Sequence, residues 1–130
     1  MPGTITIDTA QTFAAPPIVM AAGPKLRFGT DQQDVSRDGE RKWTVQAAVS
    51  YFPSAEGMRQ VAEVIEVTVT GGNDPGLSVG PGTPVEFDRL RCGISAPEKS
   101  EDGRRIFGGK LYFMATGVRP VNGQRRAEAS

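Results

Sequence analysis

Two stretches in the middle of the chain alternate between apolar and polar side chains, and this pattern constrains the fold more than any other feature. In residues 42–51, "KWTVQAAVSY", the odd positions are apolar or aromatic and the even positions are mostly polar. Residues 63–72, "EVIEVTVTGG", repeat the alternation, with Ile65, Val67 and Val69 on one face. A period of two residues is typical of a strand with one buried and one solvated face. Both stretches are therefore predicted to be half-buried strands.

Turn signals separate these strands from further short ones. The chain holds 16 glycines and 10 prolines, and Asp38-Gly39 is a strong hairpin signal. Residues 73–84, "NDPGLSVGPGTP", are predicted to be a glycine- and proline-rich loop. In "VEFDRLRCGI", residues 85–94, the apolar parity switches at Asp88-Arg89, which predicts a bulge or a sharp strand bend. Five or so strands with little helix indicate an all-β fold, either a small antiparallel barrel or a sandwich.

The chain of 130 residues is expected to form one domain. Residues 1–24 are poor in charge and end in "APPIVMAAGP". We interpret them as an N-terminal arm, with a short strand at Thr4 to Asp8. The barrel is predicted to span residues 25–121, with Asp38-Gly39 at the tip of a protruding hairpin, and residues 122–130 are predicted to be a flexible tail.

Composition argues against the common kinds of enzyme. The chain has no histidine and a single cysteine, Cys92, so neither a histidine base nor a thiolate zinc site is expected. No phosphate-binding glycine loop is present. Glu86 and Asp88 stand two apart on one strand face, as at an ordinary solvated edge. We predict no enzymatic activity, no metal and no cofactor, and the lack of a signal-like or membrane-spanning stretch predicts a cytoplasmic protein.

Positive charge is concentrated late in the chain, although the net charge is zero. Residues 1–88 hold six basic and eleven acidic side chains, whereas residues 89–126 hold nine basic and three acidic ones. Basic and aromatic side chains are interleaved, as in proteins that bind single-stranded nucleic acid with cations on phosphates and rings on bases. The candidate residues are Arg37, Arg41, Lys42, Trp43, Tyr51, Arg89, Arg91, Arg104, Arg105, Phe107, Lys110 and Tyr112.

Strand parity sorts some of these candidates. Arg89 and Arg91 alternate with Leu90 and Cys92, so both arginines are expected to be exposed. Tyr112 is expected to lie outside with Lys110, because Leu111, Phe113 and Ala115 take the apolar parity. Trp43 shares the parity of Val45, which leaves a core position and a base-stacking position both open. Tyr51 and Phe107 are open in the same way.

The segment "DVSRDGERKWTVQAAVSY" resembles the DNA-binding wing and following strand of the filamentous-phage helix-destabilising proteins of the gene V type, and of single-strand-binding proteins of conjugative elements. The resemblance extends over residues 33–121. It implies a five-stranded oligonucleotide-binding (OB) barrel that forms a homodimer and coats single-stranded DNA without sequence preference. It also implies that Arg37 and Arg41 contact phosphate and that Trp43 is the aromatic residue of the wing. Residues 1–24 and 53–62 depart from the family pattern.

We therefore predict a non-specific single-stranded-DNA-binding protein that coats strands exposed during replication or transfer of a mobile element, with RNA as an open second ligand. The alternative is a non-enzymatic structural or assembly module, such as a phage component, or a protein-binding barrel. A carboxylate enzyme is a third and weaker interpretation.

Overall fold

The computed structural model describes residues 4–27, 29–53, 55, 57–72, 74–94, 98–99, 106–107 and 110–121. Strands dominate these residues, which confirms the predicted all-β class. The only helices among them are α1 (Thr9–Thr12) and a 3-10 helix (Pro75–Leu77). The strands in the same residues are β1 (Thr4–Thr6), β2 (Ile18–Pro24), β3 (Lys42–Ser50), β4 (Ala62–Thr70), β5 (Val85–Asp88), β6 (Arg91–Ile94), β7 (Glu98–Lys99), β8 (Ile106–Phe107), β9 (Leu111–Ala115) and β10 (Gly117–Pro120).

Six of these strands form one mixed sheet in the order β1-β6-β9-β4-β3-β2. Every neighbouring pair in it is antiparallel except β4 and β9, which are parallel. The pairs β5-β10 and β7-β8 form separate two-stranded ladders. The predicted five-stranded antiparallel barrel is wrong in three respects: in the described residues the sheet does not close, it contains a parallel pair, and the strands exceed five.

A bend between β5 and β6 explains why the ladders separate. Arg89 has φ 52° and turns the chain between the two strands. Phe87 and Leu90 are both buried although they have opposite parity, which confirms the predicted switch at Asp88-Arg89. The backbone N–H of Thr116 donates to the carbonyl of Asp88 at 2.9 Å. Because of this bend, β5 pairs with β10 while β6 pairs with β9 and β1.

The core lies on one face of the central strands β3 and β4. Val45 pairs with Val67 and Ala47 with Ile65 in the antiparallel register, and these four side chains are buried. Each apolar side chain removed from water contributes about 1.5–3 kcal/mol before the entropy of ordering it is subtracted. The alternation of residues 42–51 and 63–72 is thus the inside–outside pattern of β3 and β4, as predicted.

The N-terminal segment belongs to the sheet and is not a separate arm. β1 pairs with β6, and β2 pairs with β3 with a bulge between Val19 and Ala21. Phe13 and Val19 are buried in the core. The prolines of this segment led to its interpretation as an arm. Its apolar side chains Phe13 and Val19 nevertheless cover part of the inner face of the sheet. The predicted tail, residues 122–130, lies outside the described residues.

Residues 25–27 and 29–41, the described part of the segment between β2 and β3, form the predicted hairpin. Isolated bridges join Leu26 to Gln33 and Val35 to Arg41. At the tip, the N–H of Ser36 donates to the carbonyl of Glu40 at 2.7 Å, and Gly39 has φ 81°. Glycine suits this left-handed conformation because it has no Cβ to clash with the backbone. The Asp38-Gly39 turn signal is confirmed.

Candidate nucleic-acid interface

The hairpin presents three arginines to solvent, Arg27, Arg37 and Arg41. Arg37 and Arg41 are both exposed, and no described carboxylate lies within ion-pair distance of either. Lys42 differs, since it is half-buried and its Nζ lies 3.6 Å from the Asp34 carboxylate. Arg37, Arg41 and the half-buried Lys25 are therefore the hairpin cations for which the described residues show no ion-pair partner.

Asp34 also lies near Arg27, at 3.8 Å from its Nε. It accepts the backbone N–H of Val35 at 2.9 Å and so helps to fix the hairpin conformation. The sequence reasoning missed Asp34, although an acid inside a basic segment signals such a local partner. The carboxylate offsets part of the positive charge of Arg27 and Lys42 at the base of the hairpin.

The face of the sheet opposite the core forms a continuous surface, which we call the outer face. Its first row across the sheet runs Thr44, Thr68, Met114, Arg91 and Thr6 in register. Arg91 is exposed, as predicted, and no described carboxylate pairs with it. This row lies two residues along β3 from Lys42, where the hairpin joins the sheet. The register thus places Arg91 at the hairpin end of the outer face.

Tyr112 lies in the next row of the outer face. Gln46 pairs with Glu66, and Tyr112 pairs with Gly93. Tyr112 is 36% exposed, as its parity predicts. Arg91 is paired with Met114, two residues along β9 from Tyr112, so Arg91 and Tyr112 are diagonal neighbours on the outer face. Long and aromatic side chains can reach one another across such a diagonal. An exposed ring beside a cation is the combination that stacks a base and holds its phosphate.

Trp43 lies in the core and is not a stacking residue in this structure. It is 5% exposed and stands in register between Pro24 of β2 and Val69 of β4. Its indole Nε1 is buried without a hydrogen-bond partner among the described residues. The implication from the wing resemblance is therefore wrong for this residue. The position of Trp43 two residues before Val45 on β3 was the signal that indicated burial, because both side chains lie on the inner face.

Tyr51 is half-buried and its polar and aromatic groups are already engaged. Its ring centroid lies 5.8 Å from that of Phe13, and its hydroxyl donates to Glu63 Oε1 at 2.9 Å. Tyr51 also follows the end of β3 opposite the hairpin. Desolvation, together with the hydrogen bond and charge of Glu63, raises its pKa from 10.0 to about 12. The structure thus separates Tyr51 from the hairpin cations and uses its ring for packing.

Three of the remaining candidates, Arg89, Phe107 and Lys110, lie in the described residues. Arg89 is exposed at the bend before β6, and Lys110 is exposed immediately before β9. Phe107 belongs to β8, where it pairs with Glu98. Arg104 and Arg105 lie outside the described residues.

The carboxylate pair Glu86 and Asp88 is held by a residue that the sequence reasoning did not single out. The Arg119 guanidinium lies 2.9 Å from Glu86 Oε2 and 3.1 Å from Asp88 Oδ1. The hydrogen bond to Asp88 and the charges of both acids raise the pKa of Arg119. Arg119 stands directly opposite Glu86 in the β5-β10 register, a pairing that depends on the tertiary fold. The two carboxylates therefore link β5 to β10.

We expect Tyr51 to titrate at about pH 12, which a spectrophotometric phenolate titration measures. A Tyr112→Phe background isolates the signal, since the chain has two tyrosines. Because the folded pKa lies above the ordinary value, the associated stability is full below pH 10 and is lost as pH rises from 10.0 towards 12. Glu63→Gln should lower the pKa of Tyr51 but leave it raised, since desolvation is the larger cause. A Tyr51 that titrates near its ordinary value in folded protein would contradict this packing.

No protein-family model matches the chain, and no curated protein matches it. In the described part of the chain, no helix is both long and apolar enough to cross a membrane. The same residues contain no cluster of three or more acidic or cysteine side chains placed to hold a metal ion.

Proposed function

We propose that the chain binds single-stranded DNA without sequence preference and coats strands exposed during replication or transfer of a mobile element. The observation that supports this most is the combination on one face of the sheet. Arg91 and the exposed ring of Tyr112 stand as diagonal neighbours, and the hairpin with Arg37 and Arg41 joins the same end of the face. Phosphates are neutralised by the arginines, and a base stacks on Tyr112, which is worth about 1–3 kcal/mol.

The proposed fold type is an OB-like barrel that is partly open. In the sheet, β2, β3, β4 and β9 are successive neighbours. The chain then runs from β9 into β10, and β10 pairs with β5. The N–H of Val19 donates to the Thr83 carbonyl at 2.9 Å, and that of Val85 to the Pro17 carbonyl at 2.8 Å, so β2 meets the segment entering β5. OB folds are partly open five-stranded barrels, and their ligands contact the second and third strands and the loops 1–2 and 4–5.

On this assignment the second and third barrel strands are β3 and β4. Loop 1–2 is then the hairpin of residues 25–41, which holds Arg37 and Arg41. Between β6 and β9, at the position of the 4–5 connection, the sequence holds Arg104, Arg105 and Lys110. Both connections thus contain basic residues in the sequence, and this supports the proposal.

The test is a titration of fluorescently labelled oligo-dT, duplex DNA and single-stranded RNA, followed by fluorescence anisotropy. We expect oligo-dT to bind more tightly than duplex, and the logarithm of its binding constant to fall linearly with the logarithm of salt concentration. The label must be on the nucleic acid, because Trp43 is buried and is a poor reporter of stacking. No anisotropy change with any of the three ligands at low salt would refute the proposed function, and the RNA titration decides the second ligand.

A protein-binding or assembly role is the second candidate, and exposed apolar side chains favour it. Ile18, Ala48 and Val64 stand in register across the far end of the outer face, with Ile18 41% and Val64 59% exposed. Met20, at the bulge of β2, is 51% exposed. Apolar neighbours of this kind on a sheet surface are typical of protein contact sites. Absence of nucleic-acid binding together with a tight protein partner would favour this candidate.

The remaining parts of the proposal follow from the resemblance and from the composition. We propose a homodimer, whose mass sedimentation equilibrium measures, and a cytoplasmic location. We propose neither an enzymatic activity nor a cofactor, since the chain has no histidine and the carboxylates of Glu86 and Asp88 are both paired with Arg119.

A further inference from the structure

One acidic side chain lies within the proposed binding face. Glu66 is exposed on β4 and pairs with Gln46 of β3. In the parallel pair β4-β9, Val67 is aligned with Phe113. The residues that precede these two, Glu66 and Tyr112, are therefore aligned with each other. Glu66 therefore has the amide of Gln46 on one side and the ring of Tyr112 on the other. No described cation lies within ion-pair distance of its carboxylate.

A carboxylate in this position repels phosphate. The backbone of a bound strand is attracted instead to the arginines at the hairpin end of the face, which are Arg37, Arg41 and Arg91. The backbone thus passes at that end, and the groups that reach Glu66 are the bases. A base stacked on Tyr112 has its hydrogen-bonding edge beside Glu66, since the two residues are adjacent on the sheet.

The carboxylate of Glu66 only accepts hydrogen bonds. The exocyclic amino group of cytosine donates to such an oxygen, and glutamate and aspartate recognise cytosine in this way. Thymine has a carbonyl oxygen at the same ring position, which repels the carboxylate. Gln46 carries two amide donors and therefore suits the acceptor atoms of cytosine next to its amino group. This pair of side chains thus discriminates between two bases of equal size.

We propose that Glu66, beside Tyr112, makes the binding face prefer amino-bearing bases, with cytosine favoured over thymine. This inference rests on the proposed function, which by itself predicts equal affinity for the two pyrimidine homopolymers. The recognised chemistry is an amino group on the Watson–Crick edge of an unpaired base.

The experiment compares labelled oligo-dC and oligo-dT of about 15 nucleotides at one salt concentration, a length near the site size of an OB domain. We expect oligo-dC to bind about fivefold more tightly, the lower end of the discrimination that a specific base contact supplies. Glu66→Gln should bring the ratio of the two binding constants close to one, because its amide serves either base. Binding to oligo-dT should also tighten in this variant, since the repulsion of phosphate is removed.

Glu40→Gln is the matched control, because it removes the same charge from an exposed position of the hairpin. It should strengthen binding of both oligonucleotides equally and leave their ratio unchanged. Equal binding of oligo-dC and oligo-dT by the unmodified chain would overturn the inference while leaving the proposed function intact. Binding of neither would refute both. A preference for oligo-dC that survives Glu66→Gln would assign the discrimination to other residues and overturn the role of Glu66.

Discussion

Replacing Arg37 and Arg41 together by alanine is expected to weaken binding of oligo-dT by roughly 10- to 100-fold at about 50 mM salt. Both side chains are exposed on the hairpin. Neither forms an ion pair with a described carboxylate, so no such pair has to be broken before the arginine contacts a phosphate. Each phosphate contact on a single strand contributes about 0.7 to the slope of the binding constant against salt on logarithmic axes. The slope of the double variant should therefore be shallower by about 1.4.

The matched control removes two arginines from elsewhere, in the double variant Arg59→Ala/Arg119→Ala. Arg59 is exposed in the connection between β3 and β4, at the end of β3 opposite the hairpin. Arg119 lies in β10 and forms surface ion pairs, which generally stabilise a fold only weakly. We expect this control to keep both the affinity and the salt slope close to those of the unmodified chain. If the two double variants lose affinity equally, the effect is one of net charge and the hairpin is not the contact.

Replacing Trp43 by alanine is expected to cost about 3–5 kcal/mol of unfolding free energy. The ring is buried between β2 and β4, so its loss leaves a cavity that the sheet backbone cannot fill. Total stability of a domain is about 5–15 kcal/mol, so the variant should be only marginally folded. Urea unfolding followed by far-ultraviolet circular dichroism measures the change. An unchanged unfolding midpoint would mean that the ring is not in the core.

Trp43→Phe should be much less damaging than Trp43→Ala. Phenylalanine keeps a six-membered ring in the site and removes the indole N–H, which has no described partner. An unsatisfied buried donor costs about 1–3 kcal/mol, so its removal offsets part of the lost packing. Fluorescence of the unmodified chain gives a second readout, because a buried indole should be little quenched by iodide and insensitive to oligo-dT. Strong quenching by both would place the ring at the surface.

The candidate interface was only partly predictable from the sequence, for reasons that differ from residue to residue. Arg91 and Tyr112 were placed outside by parity alone, since the alternation of a strand determines its two faces. Trp43 remained ambiguous, because an aromatic residue suits both a core and a stacking surface. Glu66 was visible as an outward residue of β4, but its position beside Tyr112 depends on a parallel pairing between strands that are distant in sequence. No local pattern encodes that register.

The residue order by itself determined the all-β class, the inner faces of β3 and β4, the hairpin at Asp38-Gly39 and the bend at Asp88-Arg89. Each depends on side-chain period or turn chemistry within a few residues. Only the tertiary structure decided that residues 4–24 join the sheet, that the sheet stays open and that Arg119 joins Glu86 to Asp88. These outcomes depend on which distant strands pair, and pairing is chosen by the burial of apolar surface summed over the whole chain rather than by any one segment.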